Sequence, residues 1–204
     1  MKKILSLAVA LFAVATSFAQ TSVSIVPRAG VSLATMTNTQ NGKIIPGFVG
    51  GADVQFQFND IVGLTAGVFY EMQGCKGSYD SGIATVTQKY KNDYVNIPIL
   101  FNCYVVKGLA VKLGLQPGFL VSSKSTKTIE GVGSTTENSK ELFNTVDLSI
   151  PVGLSYEISN VVLDVRYNWG LTNILKNKIG DLEFDDRKSR NSVFQITLGY
   201  RFQL

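Results

Sequence analysis

Hydrophobic and polar residues alternate along most of this 204-residue chain with a period of two. The alternation falls into eight runs: 23–35, 46–58, 61–72, 90–105, 109–122, 143–158, 161–171 and 192–203. A period of two is typical of β-strands that have one apolar and one polar face. Each run also reaches the roughly 9–11 residues that a tilted strand needs to cross a bilayer. The pattern therefore predicts eight β-strands of membrane-spanning length.

The connections between these runs alternate between short and long. The short ones are rich in turn-forming residues and cover 59–60, 106–108 and 159–160. The long ones cover 36–45, 73–89, 123–142 and 172–191. Short turns on one rim and long loops on the other are typical of an up-and-down barrel, in which an even strand count leaves no open edge. We predict an all-β, eight-stranded antiparallel up-and-down transmembrane β-barrel with both termini on the short-turn rim.

One face of the predicted strands is apolar throughout and contains none of the chain's 34 Lys, Arg, Asp and Glu residues. Its aromatic residues cluster near both ends of the strands, as in the two aromatic girdles of a lipid-facing band. We predict that these lipid-interface aromatics are Phe48, Phe56, Phe58, Tyr70, Phe101, Phe119, Tyr156, Trp169, Phe194, Tyr200 and Phe202.

The opposite face is polar or small and holds nine charged residues. We predict that they form a charge network in the lumen: Arg28, Asp53, Glu71, Lys112, Asp147, Glu157, Asp164, Arg166 and Arg201. The favoured interpretation is a plug of salt bridges, because eight strands enclose an interior only wide enough for side chains. An ion path lined by fixed charges is the alternative. A soluble barrel with its apolar face inside is disfavoured, since the many glycines of the polar face relieve crowding inside a narrow barrel.

The N-terminus has the pattern of a secretory signal peptide. Lys2 and Lys3 precede a short apolar stretch, and Ser17 and Ala19 place small residues at a cleavage site before Gln20. We predict a cleaved signal peptide over 1–19 and a barrel domain over 20–204. Removing two lysines leaves 17 of the 19 basic residues against 15 acidic ones. This near balance gives no basic footprint for nucleic acid.

Several short motifs resemble the PorT-like, or "porin family", outer-membrane β-barrel proteins. They are Tyr94-Val95-Asn96-Ile97-Pro98-Ile99-Leu100, Leu113-Gly114-Leu115-Gln116-Pro117-Gly118, Val152-Gly153-Leu154-Ser155-Tyr156, Asp164-Val165-Arg166-Tyr167, Gly170-Leu171-Thr172-Asn173-Ile174 and Leu198-Gly199-Tyr200-Arg201-Phe202. The resemblance implies an outer-membrane location, with outer-membrane lipid around the barrel. It also implies recognition of the C-terminal strand by the barrel-assembly machinery. Such chains usually stop at the last aromatic residue, whereas here Gln203 and Leu204 follow Phe202.

The residues give no pattern of a catalytic, cofactor or metal site. The chain contains no histidine, which removes the imidazole bases and metal ligands used by many enzymes. Residues 181–186 contain four carboxylates without the spacing or glycine of a calcium loop, and we expect a solvated loop that forms a short hairpin. We predict a protein that is not an enzyme and has no cofactor.

The two cysteines, Cys75 and Cys103, are predicted not to form a disulfide. Cys103 lies about nine residues from the outer end of its predicted strand and Cys75 lies beyond the end of the preceding one. At roughly 3.3 Å per residue their separation far exceeds the 7 Å limit for a disulfide. We expect Cys103 on the lipid-facing side and Cys75 as a thiol in a loop.

Three hypotheses for function remain open. The first is a structural or interaction protein with a sealed polar lumen, monomeric by default, whose loops 122–141 and 172–191 meet a protein partner. Loop 122–141 is rich in Ser, Thr, Lys and Gly, and we expect it to be mobile and exposed. The second is a narrow pore for ions or very small solutes. The third is a PorT-like component of a protein secretion system.

Overall fold

A computed structural model describes residues 22–37, 42–80, 85–176, 178–179, 182–183 and 188–204. The predicted signal peptide over 1–19 lies outside these residues. The described strands are β1 (Ser22–Met36), β2 (Ile45–Gln57), β3 (Val62–Asp80), β4 (Thr85–Asn96), β5 (Ile99–Val106), β6 (Leu109–Ile129), β7 (Gly133–Asn138), β8 (Val146–Ile158), β9 (Val161–Gly170), β10 (Lys178–Ile179), β11 (Leu182–Glu183), β12 (Asn191–Tyr200) and β13 (Phe202–Gln203). A 3-10 helix spans Lys140–Leu142. Among the residues described, no helix is long and apolar enough to cross a membrane.

The strands form a closed antiparallel ring. Going around it, β1 pairs with β2, β2 with β3, β3 with β4 and β5, and these with β6. The ring continues through β8 and β9 to β12, and then β12 and β13 pair with β1. Counting β4 with β5 and β12 with β13, eight strands close the barrel, which confirms the predicted fold class. Ser24 pairs with Gln203, so the described ends of the chain meet at the short-turn rim.

Alternation places the predicted apolar face on the outside of this ring. Nine of the eleven predicted interface aromatics are exposed, from Phe194 at 38% to Trp169 at 60%. Phe56 and Phe58 are intermediate. The tight turn after β8 needs left-handed backbone, with a φ of 46° at Ser159 and 72° at Asn160, a conformation that Asn tolerates better than most residues.

Two of the predicted long loops turn out to be strands. Residues 73–89 are predicted to be a loop, but most of them extend β3 and β4. These strands remain paired from Phe69 opposite Asn96 to Asp80 opposite Thr85. Loop 123–142 likewise contains a β-hairpin, in which β6 runs to Ile129 and returns as β7. We call the part of the sheet beyond the barrel rim, formed by 73–80, 85–92, 123–129 and 133–138, the protruding sheet.

Two predicted strand boundaries also need correction. The run 90–105 is divided into β4 and β5 at Ile97 and Pro98, because proline has no backbone N–H to contribute to the ladder. The run 143–158 becomes a strand only at Val146. Phe143 lies in a segment that folds inward over the lumen, so its apolar character marks burial in a cap and not a strand face.

Candidate functional site

Asp164 on β9 is the centre of a buried ion cluster in the lumen. One carboxylate oxygen, Oδ2, lies 2.9 Å from Arg28 Nη1 and 2.8 Å from Lys112 Nζ, while Oδ1 lies 3.1 Å from Arg166 Nη2. These cations come from β1, β6 and β9, which alternation directs toward the same interior. All four side chains are nearly inaccessible to solvent. Charge-assisted contacts of this kind are needed to hold so many charges away from water.

Arg28 extends this cluster across the barrel. Its guanidinium also contacts the carboxylate of Asp53 on β2 and lies 5.0 Å from the centroid of the Phe69 ring. Phe69 is buried on the polar face, where it gives the cation a π surface as well as carboxylates. Arg28 therefore connects β1, β2, β3 and β9 through one side chain.

The contacts of Glu71 differ from the predicted salt bridges. Its carboxylate accepts hydrogen bonds from three amides, those of Gln73 at 3.0 Å and of Asn96 and Gln195 at closer range. No cation lies within ion-pair distance of Glu71 among the described residues. Nearby polar donors, and not a salt bridge, therefore satisfy this buried carboxylate.

Asp147 is also satisfied by neutral groups. Thr172 Oγ1 donates to it at 2.6 Å and Asn191 Nδ2 at 2.8 Å. The remaining predicted pair, Arg201 and Glu157, forms a salt bridge of 2.8 Å near the short-turn rim, where both side chains are partly open to solvent. The structure thus brings Arg28, Asp53, Lys112, Asp164 and Arg166 into one cluster and pairs Arg201 with Glu157. Glu71 and Asp147 are bound by neutral groups instead of the expected salt bridges.

A small cavity in the polar interior is lined in part by Asp147. Its lining includes Gln73, Asn168 and Asn191, and each of these has a buried polar atom without a hydrogen-bond partner among the residues described. The cavity has space for about one water molecule. It is too small for a substrate, so we assign no ligand to it.

An apolar cluster closes the lumen on the long-loop side. We call it the cap, and it consists of Met36, Cys75, Tyr94, Leu120, Phe143 and Ile174. Phe143 is 2% exposed and Ile174 is fully buried. The rings of Phe143 and Tyr90 meet edge to face with their centroids 5.8 Å apart, and burial raises the pKa of the Tyr90 hydroxyl.

Hydrogen bonds between two inward-folded segments hold the cap in place. Phe143 forms a β-bridge with Leu175, and the amide of Asn144 donates to the carbonyl oxygens of Asn173 at 2.8 Å and Leu175 at 3.2 Å. Predicted loop 172–191 thus supplies Ile174 to the cap, and predicted loop 122–141 ends just before Phe143. The sequence hypothesis missed the cap, because Phe143 was assigned to a strand and Ile174 to an exposed loop.

The cysteine predictions were correct in one respect and wrong in another. Both cysteines are thiols in the structure. Cys75 was expected in a loop, but it lies within β3, is 1% exposed and contacts the sulfur of Met36 at 3.4 Å. Cys103 is partly exposed on the outer face. Continuation of β3 beyond the rim explains why Cys75 is buried.

Only part of the acidic loop lies within the described residues. Asp181, Asp185 and Asp186 lie outside the described residues, while the backbone of Leu182–Glu183 pairs with Lys178–Ile179 as β11 and β10. Within the described part of the chain, no group of three or more Cys, Asp or Glu residues is arranged to hold a metal ion.

Comparison of sequences places the chain in a family. Residues 18–176 match the model of the outer membrane protein beta-barrel domain. A comparison with curated proteins found no match.

Solved structures with a similar fold are distant in sequence. Neisserial surface protein A is 16% identical, with a TM-score of 0.50 over 87% of this chain and 97% of that one. Ail of Yersinia pestis, in complex with sucrose octasulfate, is 14% identical, with a TM-score of 0.47 over 89% and 99%. CarO of Acinetobacter baumannii is 14% identical, with a TM-score of 0.41 over 86% and 97%. On the strength of the family match and the closed eight-stranded ring, the chain belongs to the outer membrane protein beta-barrel domain family and resides in the outer membrane.

Proposed function

We propose that this protein is a non-enzymatic interaction protein of the outer membrane, with a sealed barrel that carries the protruding sheet. The observation that supports a sealed barrel is the cap, in which Phe143 and Ile174 cover the mouth above a lumen occupied by buried polar side chains. An ion crossing the barrel would have to displace the cap and then pass the contacts of Asp164.

The charges of the inner cluster support the same interpretation. Arg28, Lys112 and Arg166 face the carboxylates of Asp53 and Asp164. Each of these three cations contacts a carboxylate. A pore that selects ions uses fixed charges that remain available to the ion. Here the cations and carboxylates form ion pairs with one another.

The interaction role is supported by the protruding sheet. Its β6–β7 hairpin presents hydroxyls in cross-strand pairs, with Thr126 and Thr136 at 3.0 Å and Thr128 and Ser134 at 2.8 Å. All six residues of β7 are exposed, and among the described strands β7 pairs only with β6. A sheet with a polar exposed edge is suited to contact with a protein partner. Loops 122–141 and 172–191 are the proposed contact regions.

Conductance measurements test the sealed lumen. The purified full chain, reconstituted in planar bilayers at neutral pH, should show no discrete openings, while a known open porin prepared in parallel should conduct. A mobility difference between unboiled and boiled samples on a denaturing gel establishes that the chain is folded. Stable openings by the folded chain would contradict the proposal and favour the narrow-pore alternative.

The secretion-component alternative has a separate test. A deletion strain complemented with the parent chain, or with a chain whose β6–β7 hairpin is replaced by a tight turn, is compared for secreted proteins. Normal secretion in the deletion strain supports a role in interaction outside a secretion system. Loss of secreted proteins would favour a PorT-like role instead.

We also propose that the barrel-assembly machinery recognises the last strand through Phe202. β12 and β13 follow one another with a break at Arg201, and Phe202 is exposed on the outer face. Phe202→Ala should reduce the amount of folded chain in the outer membrane, whereas Leu204→Ala should have a smaller effect. A larger loss of folded chain from Leu204→Ala than from Phe202→Ala would show that the recognition signal is shifted by two residues.

A further inference from the structure

Lysines lie opposite one another on neighbouring strands of the protruding sheet. Lys76 on β3 is directly opposite Lys89 on β4, and Lys91 on β4 is directly opposite Lys124 on β6. Lys43 forms a β-bridge with Lys76 on the other side of β3. Five lysines therefore occupy adjacent positions of one sheet.

The strand geometry puts all five on one face. Directly opposed residues point to the same side of a sheet, and so do residues two apart, such as Lys89 and Lys91. The alternate residues Asn92 and Ser123 are buried, whereas Lys91 and Lys124 are exposed. The lysines therefore continue the outer, lipid-facing side of the barrel. We call this surface the lysine face.

The lysine face begins a short distance above the aromatic row of the rim. Tyr70 and Phe119 both pair with Val95, and Lys91 lies four residues before Val95 on β4, toward the tip of the protruding sheet. At about 3.3 Å per residue and a strand tilt of about 40°, Lys91 lies roughly 10 Å above that row. Interfacial aromatics mark the headgroup level, so Lys91 and Lys124 lie at, or just outside, the headgroups.

Along the described strands, lysines outnumber the carboxylates on this face. Among described residues, no carboxylate lies within ion-pair distance of Lys76, Lys89, Lys91 or Lys124. In the described part of the sheet, the register places two acidic residues on this face, Asp93 on β4 and Asp80 on β3. The backbone N–H and C=O of Lys76 both bond to Lys43, so Lys76 and Lys89 form the closer, non-hydrogen-bonded type of pair. Like charges directly opposite one another destabilise a sheet.

We propose that the lysine face binds phosphate groups of anionic lipids in the outer leaflet. A lipid phosphate at this height would separate the opposed ammonium groups and satisfy their donors, while its acyl chains would pack on the exposed outer face around Tyr70 and Phe119. Position favours a lipid over a soluble anion, because the lysines continue the lipid-facing side of the barrel. The proposal rests on residence in the outer membrane and does not depend on a sealed lumen.

The test measures binding of bis-phosphorylated lipid A to the full chain in neutral detergent micelles by native mass spectrometry. The test variant is Lys91→Gln/Lys124→Gln. The matched control is Lys107→Gln/Lys127→Gln, which removes the same charge from the short-turn rim and from the opposite side of the protruding sheet. A third variant, Lys91→Arg/Lys124→Arg, keeps the charge. Gel mobility before and after boiling confirms that each variant is folded.

We expect the test variant to bind lipid A at least about tenfold more weakly, and the control and arginine variants to bind it like the parent. Binding by the parent should also weaken as salt is raised. Equal losses in test and control variants would overturn the proposal, as would equal binding of dephosphorylated lipid A. Displacement of the lipid by inorganic phosphate at a similar concentration would overturn the lipid assignment and show a general anion site. Conductance through the barrel would not change the binding of lipid A by these variants. The proposal of a lipid site and the proposal of a sealed lumen can therefore fail independently.

Discussion

At the scale of single residues, the carboxylate of Asp164 contacts more cations than any other carboxylate in the described part of the chain. It contacts three cations in an interior closed to solvent, whereas Glu157 contacts Arg201 where water has access. The two acids belong to the same predicted network and differ mainly in burial. Burial determines the cost of losing one partner, because a cation left unpaired in the interior keeps its desolvation penalty.

We predict that Asp164→Asn lowers the free energy of unfolding by about 3–5 kcal/mol. The substitution keeps the shape of the side chain but leaves Lys112 and Arg166 without their carboxylate. The control substitution Glu157→Gln should cost about 1 kcal/mol or less, because its pair is partly solvated. Urea titrations of the folded barrel in micelles measure both changes. Equal costs would contradict the central role of Asp164.

The position of Cys75 gives a second prediction at this scale. In a Cys103→Ser background, Cys75 should resist a water-soluble maleimide in the folded chain and react after boiling, because it is buried in the cap. A cysteine at the exposed position Ser134 should react before boiling. Rapid labelling of Cys75 in the folded chain would contradict its burial.

At the scale of elements, the strands continue where the membrane pattern stops. The apolar outer face ends near Tyr70 and Val95, and the next outward positions of β4 are Asp93, Lys91 and Lys89. Lipid no longer requires apolar side chains there, but the backbone hydrogen bonds continue, so β3 and β4 remain paired up to Asp80 and Thr85. The alternation of hydrophobic residues therefore indicates where a strand contacts lipid, but it does not indicate how far the backbone pairing of the strand continues.

We predict that the β6–β7 hairpin can be shortened without loss of the barrel. Replacing 127–135 by an Asn-Gly turn removes the hydroxyl pair of Thr128 and Ser134 and the outermost pairing of β6 with β4. Exposed pairs of this kind contribute little to global stability. The temperature at which the gel mobility changes should therefore stay close to that of the parent. A large decrease would show that the hairpin supports the cap.

The sequence was sufficient to predict the ring of eight strands, because one face of each strand contacts lipid and the other faces a narrow interior. It was insufficient for the cap. Phe143 and Ile174 are buried by contacts between segments that are distant in sequence and have no regular period. The amides around Glu71 also come from three strands, and only the register of those strands brings them together.

At the scale of the whole molecule, the cap and the ion cluster are two barriers in series. We predict that Phe143→Ser/Ile174→Ser remains non-conducting, because the contacts of Arg28 and Asp164 still fill the lumen. Arg28→Ser alone should also remain closed beneath the intact cap. The combined variant should show openings in planar bilayers, with folding of each chain checked by gel mobility. Conductance by the cap variant alone would show that the ion cluster is not a barrier.

Closure of the ring joins residues from opposite ends of the chain. Gln203 donates to the hydroxyl of Ser22 at 3.4 Å across a separation of 181 residues, and Phe202 pairs with Ile25. A chain that lacks its last strand would leave β1 and β9 as open edges inside the hydrocarbon layer, where unpaired backbone groups are costly. A copy without its last strand is therefore expected to be destabilised in the membrane, because closure of the ring needs strands from both ends of the described chain.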